Sequence, residues 1–294
     1  MTFNLEPEPH NENWGERVGE HLESLRRQRP LVYCLTNFVT VNDVANALAA
    51  IGASPVMSAA PEEAPELIGY AGAVLLNPGT LNQEFIRLVQ EAVRLAGERG
   101  VPCLLDPVGS GATRLRTETF QALLKERCVQ LVRGNLGEIV SLAGVTATTQ
   151  TRGVDSITSS QDESEASQDA EAATATLALQ NKRDWGTVSA TGKRDTVTDG
   201  RRLIRIYNGH EWLPGISGSG CTVGAISAAF LAVASPLEAA VSGLVCYGVA
   251  AEIAARKSSG PGTLKVNIFD ALFNLTSEQV LERARIKSFQ VSHS

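Results

Sequence analysis

LVYCLTNFVTVNDVANALAAI, Leu31 to Ile51, is the stretch on which the fold turns. Leu31–Leu35 is a short apolar run that reads as a strand. Val44, Leu48 and Ile51 then recur at helical spacing and mark one face of a helix. Asn37 stands where strand gives way to helix. The same alternation continues outward from this unit. Ser54–Met57 and Ala73–Asn77 are short apolar runs, and Gln83–Glu98 is helical, with Phe85, Ile86, Val89 and Val93 on one side. Cys103–Asp106 is a strand ending in a carboxylate. Leu131–Arg133 is another, followed by a helix through Ile139 and Leu142, and Thr187–Ala190 is a further strand. Strands alternating with helices in this way predict an α/β fold, with a central, mostly parallel sheet flanked by helices. Asp195–Thr198 and Leu203–Tyr207 flank Asp199-Gly200, a hairpin signal. From Gly220 the chain turns helical to about Ala234 and again from Leu237 to about Lys257. Pro261 and Gly262 break this second helix, and a last one carries Ile268, Leu272 and Leu275.

The chain has 294 residues, of which 43% are hydrophobic, enough for a sizeable core, but only 5% are aromatic. That balance suits close helix-on-sheet packing and not the stacking of single-stranded nucleic acid. The net charge of −6, with no concentrated Lys/Arg block, speaks against a nucleic-acid partner. No apolar run is expected to span a membrane, and the polar, acidic Met1–Asn13, with Pro7 and Pro9, lacks the pattern of a secretory signal. The expected organisation is a polar tail over 1–15, a single domain over 16–285 and a C-terminal tail over 286–294. Ile157 to Glu171 (ITSSQDESEASQDAE) is polar and acidic and reads as an exposed insertion, the alternative being a linker between domains. The five cysteines, Cys34, Cys103, Cys128, Cys221 and Cys246, form no Cys-x-x-Cys pair. All but Cys221 lie in apolar surroundings, which points to a reducing cytoplasm.

Ligands of parallel α/β sheets bind beyond the C-terminal ends of the strands. The polar residues at those ends are Asn37, Asn77, Asp106, Arg133 and Asn135. Each is also a residue type that caps helices or builds turns. The chief anion-binding candidate is Gly215-Ile216-Ser217-Gly218-Ser219-Gly220-Cys221. Here a flexible bend at Gly218, Ser219 and Gly220 runs into an apolar helix whose first N–H groups have no intrahelical acceptor. Cys221 is either a residue facing both the anion and a second substrate or a packed helix-start residue. Asn135 and Glu138 are three apart. On a starting helix they share a face, as oxygen ligands for Mg²⁺ through water or as a capping arrangement. Asp106 precedes Pro107-Val108-Gly109-Ser110-Gly111, a place for metal or phosphate or a tight turn. Thr191-Gly192 either bonds a nucleotide or caps a turn. The four histidines (His10, His21, His210 and His293) make no zinc pattern, and His210 is a weak candidate for a hydrolase triad. There is no Gly-Lys-Ser/Thr phosphate loop.

Taken together, the blocks CLTNFVTVNDVANALAAIGASPVM, LLNPGTL, LLDPVGSGATRLRTET, LVRGNLGEI, ATGKRDTVTDG, NGH and GISGSGCTVGAISAAF resemble the hydroxyethylthiazole kinase family of the ribokinase-like superfamily. They keep that family's order from about residue 31 to near Leu275. The resemblance implies a three-layer α/β/α ribokinase-like domain. It implies transfer of the γ-phosphoryl of ATP to the hydroxyl of 4-methyl-5-(2-hydroxyethyl)thiazole, a salvage step toward thiamine. It further implies a thiazole pocket with Asn37, Met57 and Gly218, ATP contacts at Arg133, Thr191 and Asn135, and Asp106 and Glu138 near Mg²⁺. The implied assembly is a homotrimer with active sites at subunit interfaces, Met57 serving a neighbour's pocket.

Ribokinase-like sugar kinases carry Asp as catalytic base where the thiazole kinases, like this chain, carry Cys. The implied role of Cys221 is to orient the alcohol and accept its proton late, with the loop N–H groups of Gly218, Ser219 and Gly220 holding the phosphoryl group. A helix N-terminus favours a thiolate there, while nearby magnesium and bound phosphates add opposing influences, so the residues leave its ionisation state open. Ser219 replaces a Thr or Ala of many relatives and is expected to keep its N–H available. Three other readings compete: a dehydratase of hydrated nicotinamide nucleotides, whose loop carries Asp; a hydroxymethylpyrimidine kinase, which the Asn37 and Met57 blocks fit less well; and a non-catalytic thiazole or nucleotide sensor.

Overall fold

The computed structural model describes residues 3–8, 13–145, 150–152, 155–157 and 165–293. In chain order the elements are β1 (Phe3–Pro7), α1 (Trp14–Gln28), β2 (Leu31–Thr36), α2 (Val41–Ile51), β3 (Ser54–Val56), α3 (Ala64–Tyr70), β4 (Ala73–Asn77), α4 (Gln83–Arg99) and β5 (Cys103–Leu105). Then come α5 (Arg114–Leu123), β6 (Val129–Asn135), α6 (Leu136–Ala143), β7 (Gln150–Arg152), β8 (Asp155–Ile157), α7 (Glu165–Arg183) and β9 (Thr187–Thr191). The chain closes with β10 (Asp195–Thr198), β11 (Arg202–Ile206), α8 (Ser219–Leu231), α9 (Pro236–Ala255), α10 (Pro261–Asn274), α11 (Ser277–Arg283) and β12 (Ile286–His293).

Ten strands form one sheet in the order β1-β12-β11-β10-β9-β6-β5-β4-β2-β3. The run from β3 to β9 is parallel, and β10, β11, β12 and β1 extend it antiparallel. Strand alternation sorts the core into two faces. Val32, Cys34, Ala73, Leu75, Leu104 and Leu131 pack with α1, α2, α8, α9 and α10. Their neighbours Tyr33, Leu35, Val74, Leu76, Leu105 and Val132 pack with α3 to α7. The result is the expected three-layer arrangement. The hairpin is present too, with Thr198 opposite Leu203.

Both ends of the chain differ from expectation. Phe3–Pro7 is an edge strand paired antiparallel with β12, Leu5 opposite Val291, and Trp14 opens α1 as a buried residue. In the expected 286–294 tail, Ile286–His293 is β12, inserted between β1 and β11, and 294 lies outside the described residues. Phe3, Leu5, Phe289 and Val291 pack on Ala173, Leu177 and Leu203, so long-range pairing orders two segments too polar to order themselves. Pro7 is tolerated because β1 is an edge. The acidic segment divides: Ile157 closes β8, 158–164 lies outside the described residues, and Glu165–Glu171 begins α7. In that first part of α7, Glu165 pairs with Lys193 and Arg194, and Asp169 with Arg194 and Arg205. Among the described residues one apolar helix, α9, is long enough to cross a membrane by length and composition, contrary to expectation. It lies 83% buried within the fold, as a core helix.

Candidate active site

The parallel strands deliver their polar residues to one edge. Asn37 follows β2, Asn77 ends β4, Asp106 follows β5, Arg133 and Asn135 lie in β6, and Thr191 ends β9. The side chains of Asn37, Asn77, Asp106, Arg133 and Thr191 join in a line that crosses the sheet. Asn37 Nδ2 donates to Cys221 Sγ at 3.4 Å and to Asn77 Oδ1 at 2.8 Å. Asn77 Nδ2 donates to Asp106 Oδ2 at 2.9 Å, and Arg133 Nη1 lies 3.5 Å from that same oxygen. Arg133 Nη2 donates to Thr191 Oγ1 at 2.7 Å, and the Thr191 hydroxyl donates to the Gly134 carbonyl at 3.2 Å. Asp106 and Arg133 are 1% and 7% exposed.

The start of α8 lies over this line. Gly218 adopts φ +86°, a bend that favours glycine, and a Cβ there would collide with the Thr40 methyl. In the first turn of α8, a Cβ at Gly220 would lie 2.9 Å from Arg133 Nη1, and one turn further on, at Gly224, 3.0 Å from Asp106 Oδ2. The glycine-rich start of this helix is therefore also what lets it settle on a buried ion pair. The Ser219 N–H donates to the Ile216 carbonyl at 3.2 Å and its hydroxyl to Leu213 O at 3.1 Å. It is thus not the open donor expected. Gly220 and Cys221 remain as first-turn N–H groups with no intrahelical acceptor.

Burial pushes the Cys221 thiol up, and the Asp106 charge adds to this; Asn77, Thr40 and Arg133 oppose it. The net direction is toward the thiol, with desolvation the largest cause. Asp106 is likewise raised by burial, with Arg133 and Asn77 opposing. Glu138 is pushed up to about 7, first by burial and then by the Asp106 charge.

Asn135 and Glu138 form a capping box. Asn135 Oδ1 accepts the Glu138 N–H at 2.9 Å, while Glu138 Oε2 accepts the Asn135 N–H at 2.7 Å. Glu138 Oε1 accepts the Gly109 N–H at 2.8 Å and so ties α6 to the glycine-rich loop after Asp106. Capping and a place beside Asp106 thus coexist. No cluster of three or more His, Cys, Asp or Glu with metal-binding geometry occurs among the described residues. Met57 stands apart from the polar line, after edge strand β3, half-buried against the core. His210 meets Trp212 edge-on and forms no part of the line.

Two residues had escaped the sequence reading. Arg116 of α5 donates to Val108 O at 2.8 Å and Gly79 O at 2.7 Å, clamping the loops after β4 and β5 together. Asp195 accepts the Gly192 N–H at 3.1 Å and shapes the turn after Thr191. Burial raises its carboxyl to about 7 against the pull of Gly192 and Arg133. The Thr-Gly-x-x-Asp spacing was a signal for the second; nothing local marked Arg116.

This arrangement, a three-layer α/β/α sheet with a glycine-rich helix start over its strand ends, is that of the ribokinase-like kinases. A pyridoxal kinase from Staphylococcus aureus superposes with a TM-score of 0.56 at 14% identity, covering 75% of this chain and 86% of that one, a likeness of fold alone. The model of the hydroxyethylthiazole kinase family matches residues 22–278, and the chain belongs to that family. It is similar to the hydroxyethylthiazole kinase of Desulfatibacillum aliphaticivorans, 42% identical over 94% of this chain and 98% of that one. It is also similar to that of Pyrococcus furiosus, at 46% over 93% and 98%. The solved structure of the Pyrococcus horikoshii protein superposes with a TM-score of 0.82 at 39% identity, covering 92% of this chain and 98% of that one.

Proposed function

We propose that this chain transfers the γ-phosphoryl group of ATP to the primary hydroxyl of 4-methyl-5-(2-hydroxyethyl)thiazole. The observation that carries the reading is the unbroken polar line from Cys221 and Asn37 to Arg133 and Thr191, capped by the start of α8. Asn37, Gly218 and Met57 bind the acceptor, and Arg133, Thr191 and Asn135 serve the nucleotide. The N–H groups of Gly220 and Cys221 stabilise the transferring phosphoryl group, while Gly218 and Ser219 set the bend that aims them. Cys221, a thiol in the resting enzyme, orients the alcohol and accepts its proton late. A loose transition state asks for positioning more than for a strong base.

Asp106 and Glu138 suit a hard cation. Both are buried oxygen donors held above the ordinary carboxylate range, and part of the rise in Glu138 is repulsion from Asp106. A divalent charge relieves that repulsion, and Mg²⁺ asks for few protein ligands when phosphates and waters supply the rest. These two residues would hold Mg²⁺, which would supply charge neutralisation on the phosphates. Phe38 and Val39, 69% and 70% exposed directly after Asn37, support a homotrimer in which a neighbouring copy covers them and completes the acceptor pocket. All five cysteines are free thiols, as suits the cytoplasm.

The test is ADP release from Mg-ATP with the thiazole alcohol, hydroxymethylpyrimidine and pyridoxal offered separately. Release with the thiazole alcohol alone is expected. Thiazole binding without ADP release would overturn the kinase reading in favour of a sensor.

A further inference from the structure

Asn77 is wholly buried at the end of β4, so it meets no substrate, yet it is the middle link of the polar line. An amide has one donating and one accepting end, and its orientation is set by its partners. Asp106 Oδ2 accepts from Asn77 Nδ2 at 2.9 Å, which turns Oδ1 toward β2. There it accepts from Asn37 Nδ2 at 2.8 Å. The other end of Asn37 is fixed independently, because its Oδ1 accepts the N–H groups of Val39 at 3.0 Å and Thr40 at 3.1 Å. Both amides therefore have a single allowed orientation, and in it an Asn37 Nδ2 hydrogen is directed at Cys221 Sγ. A donor on sulfur favours the charged form over the thiol, and Asn77 also pulls the Cys221 thiol in that direction itself.

We infer that Asn77 is a positioning residue that fixes the Asn37 amide and thereby couples the Cys221 thiol to the Asp106–Arg133 pair. The catalytic part of this inference rests on the proposed role of Cys221. Through the coupling, the acceptor end of the cleft senses the charge at the nucleotide end without direct contact. A purely structural Asn77 would contribute stability and nothing else.

The experiment uses the full chain carrying Asn77→Asp or Asn77→Ser. Its first readout is the pH midpoint of iodoacetamide alkylation at Cys221, followed on the peptide that contains it, since the other four cysteines are buried. Its second is kcat and KM for both substrates. Asn77→Asp removes the donor to Asp106 and brings a negative charge near the thiol. It is expected to raise the midpoint by roughly one pH unit or more. It should lower kcat by about tenfold or more, with KM for ATP changed less than about threefold. Asn77→Ser, which both donates and accepts but reaches less far, should shift the midpoint less and retain more turnover. If Asn77→Asp does not fold, Asn77→Ser decides alone. A lower melting temperature with unchanged midpoint and unchanged kcat would overturn the inference. Full turnover in Cys221→Ser would remove the reading of Cys221 instead, and the midpoints of the Asn77 variants would still report the coupling.

Discussion

The two ends of the parallel strands are built on opposite plans. At the C-terminal ends, polar side chains converge on one another, and the hollow beside Thr191, Lys193 and Arg194 is only about 50 Å³. At the N-terminal ends of β6 and β9 lies a far larger cavity, about 460 Å³, lined by Leu124, Leu142, Leu179, Trp185 and several cations. Yet two of those cations, Lys182 and Arg183, already make contacts of their own. Lys182 donates to Ala143 O at the close of α6, Arg183 donates to Val129 O, and the Arg127 and Arg183 guanidinium groups lie over the Trp185 ring. They answer a helix-end carbonyl, a strand carbonyl and an aromatic face. The comparison teaches that in this fold empty volume is a poorer guide to chemistry than polar groups whose hydrogen bonds run from one substrate's place to the other's.

The contrast can be broken most sharply at Cys221. Replacing it with Ser should lower kcat by about a hundredfold or more, with a much smaller change in thiazole binding, because the loss falls on a proton-accepting group. Steady-state kinetics together with direct thiazole titration separate the two effects. Arg133→Met comes next. It leaves Asp106 as an uncompensated buried charge, and a cost of about 3–5 kcal/mol in unfolding free energy is expected, read by denaturant titration. A near-neutral result would mean that the ion pair does not hold this end of the sheet together.

Glu138 gives a pH test of the same end. Its unfolded carboxyl titrates near the ordinary 4.5 and its folded one near 7, so between these values the folded chain keeps a proton that the unfolded chain has lost. Stability should therefore fall as pH rises through that window, by up to about 3 kcal/mol, and Glu138→Gln should flatten the slope. Because a cation ligand must first lose its proton, roughly tenfold more Mg²⁺ should be needed for half-maximal activity at pH 6 than at pH 8. The smallest effect belongs to the far cavity. Lys125→Ala on its exposed rim should leave kcat and both KM values unchanged and stability within about 0.5 kcal/mol. A kinetic change there would undo the contrast between the two ends.

Much of this was legible in the chain. The strand ends at Asn37, Asn77, Asp106 and Asn135 follow from short apolar runs that stop at polar residues, and the bend before α8 from its glycines. Less legible were elements held by distant partners. β1 has only Phe3 and Leu5 to mark it and pairs with residues more than 280 positions away. The first turns of α7 look like an acidic loop until Lys193, Arg194 and Arg205 stand opposite Glu165 and Asp169. Ser219 was misjudged for a similar reason: its N–H belongs to a turn closed by Ile216.

The sequence by itself determined the alternation of strands and helices and the list of polar residues at the strand ends, because hydrophobic period and turn chemistry are local properties, while the family followed from the resemblance of its motif blocks. Only the tertiary structure decided what those residues do to one another. The direction of the hydrogen bonds from Asn37 to Thr191, the raised thiol of Cys221 and the double duty of Glu138 all depend on burial and on neighbours from other strands. Desolvation and charge act through space, not along the chain.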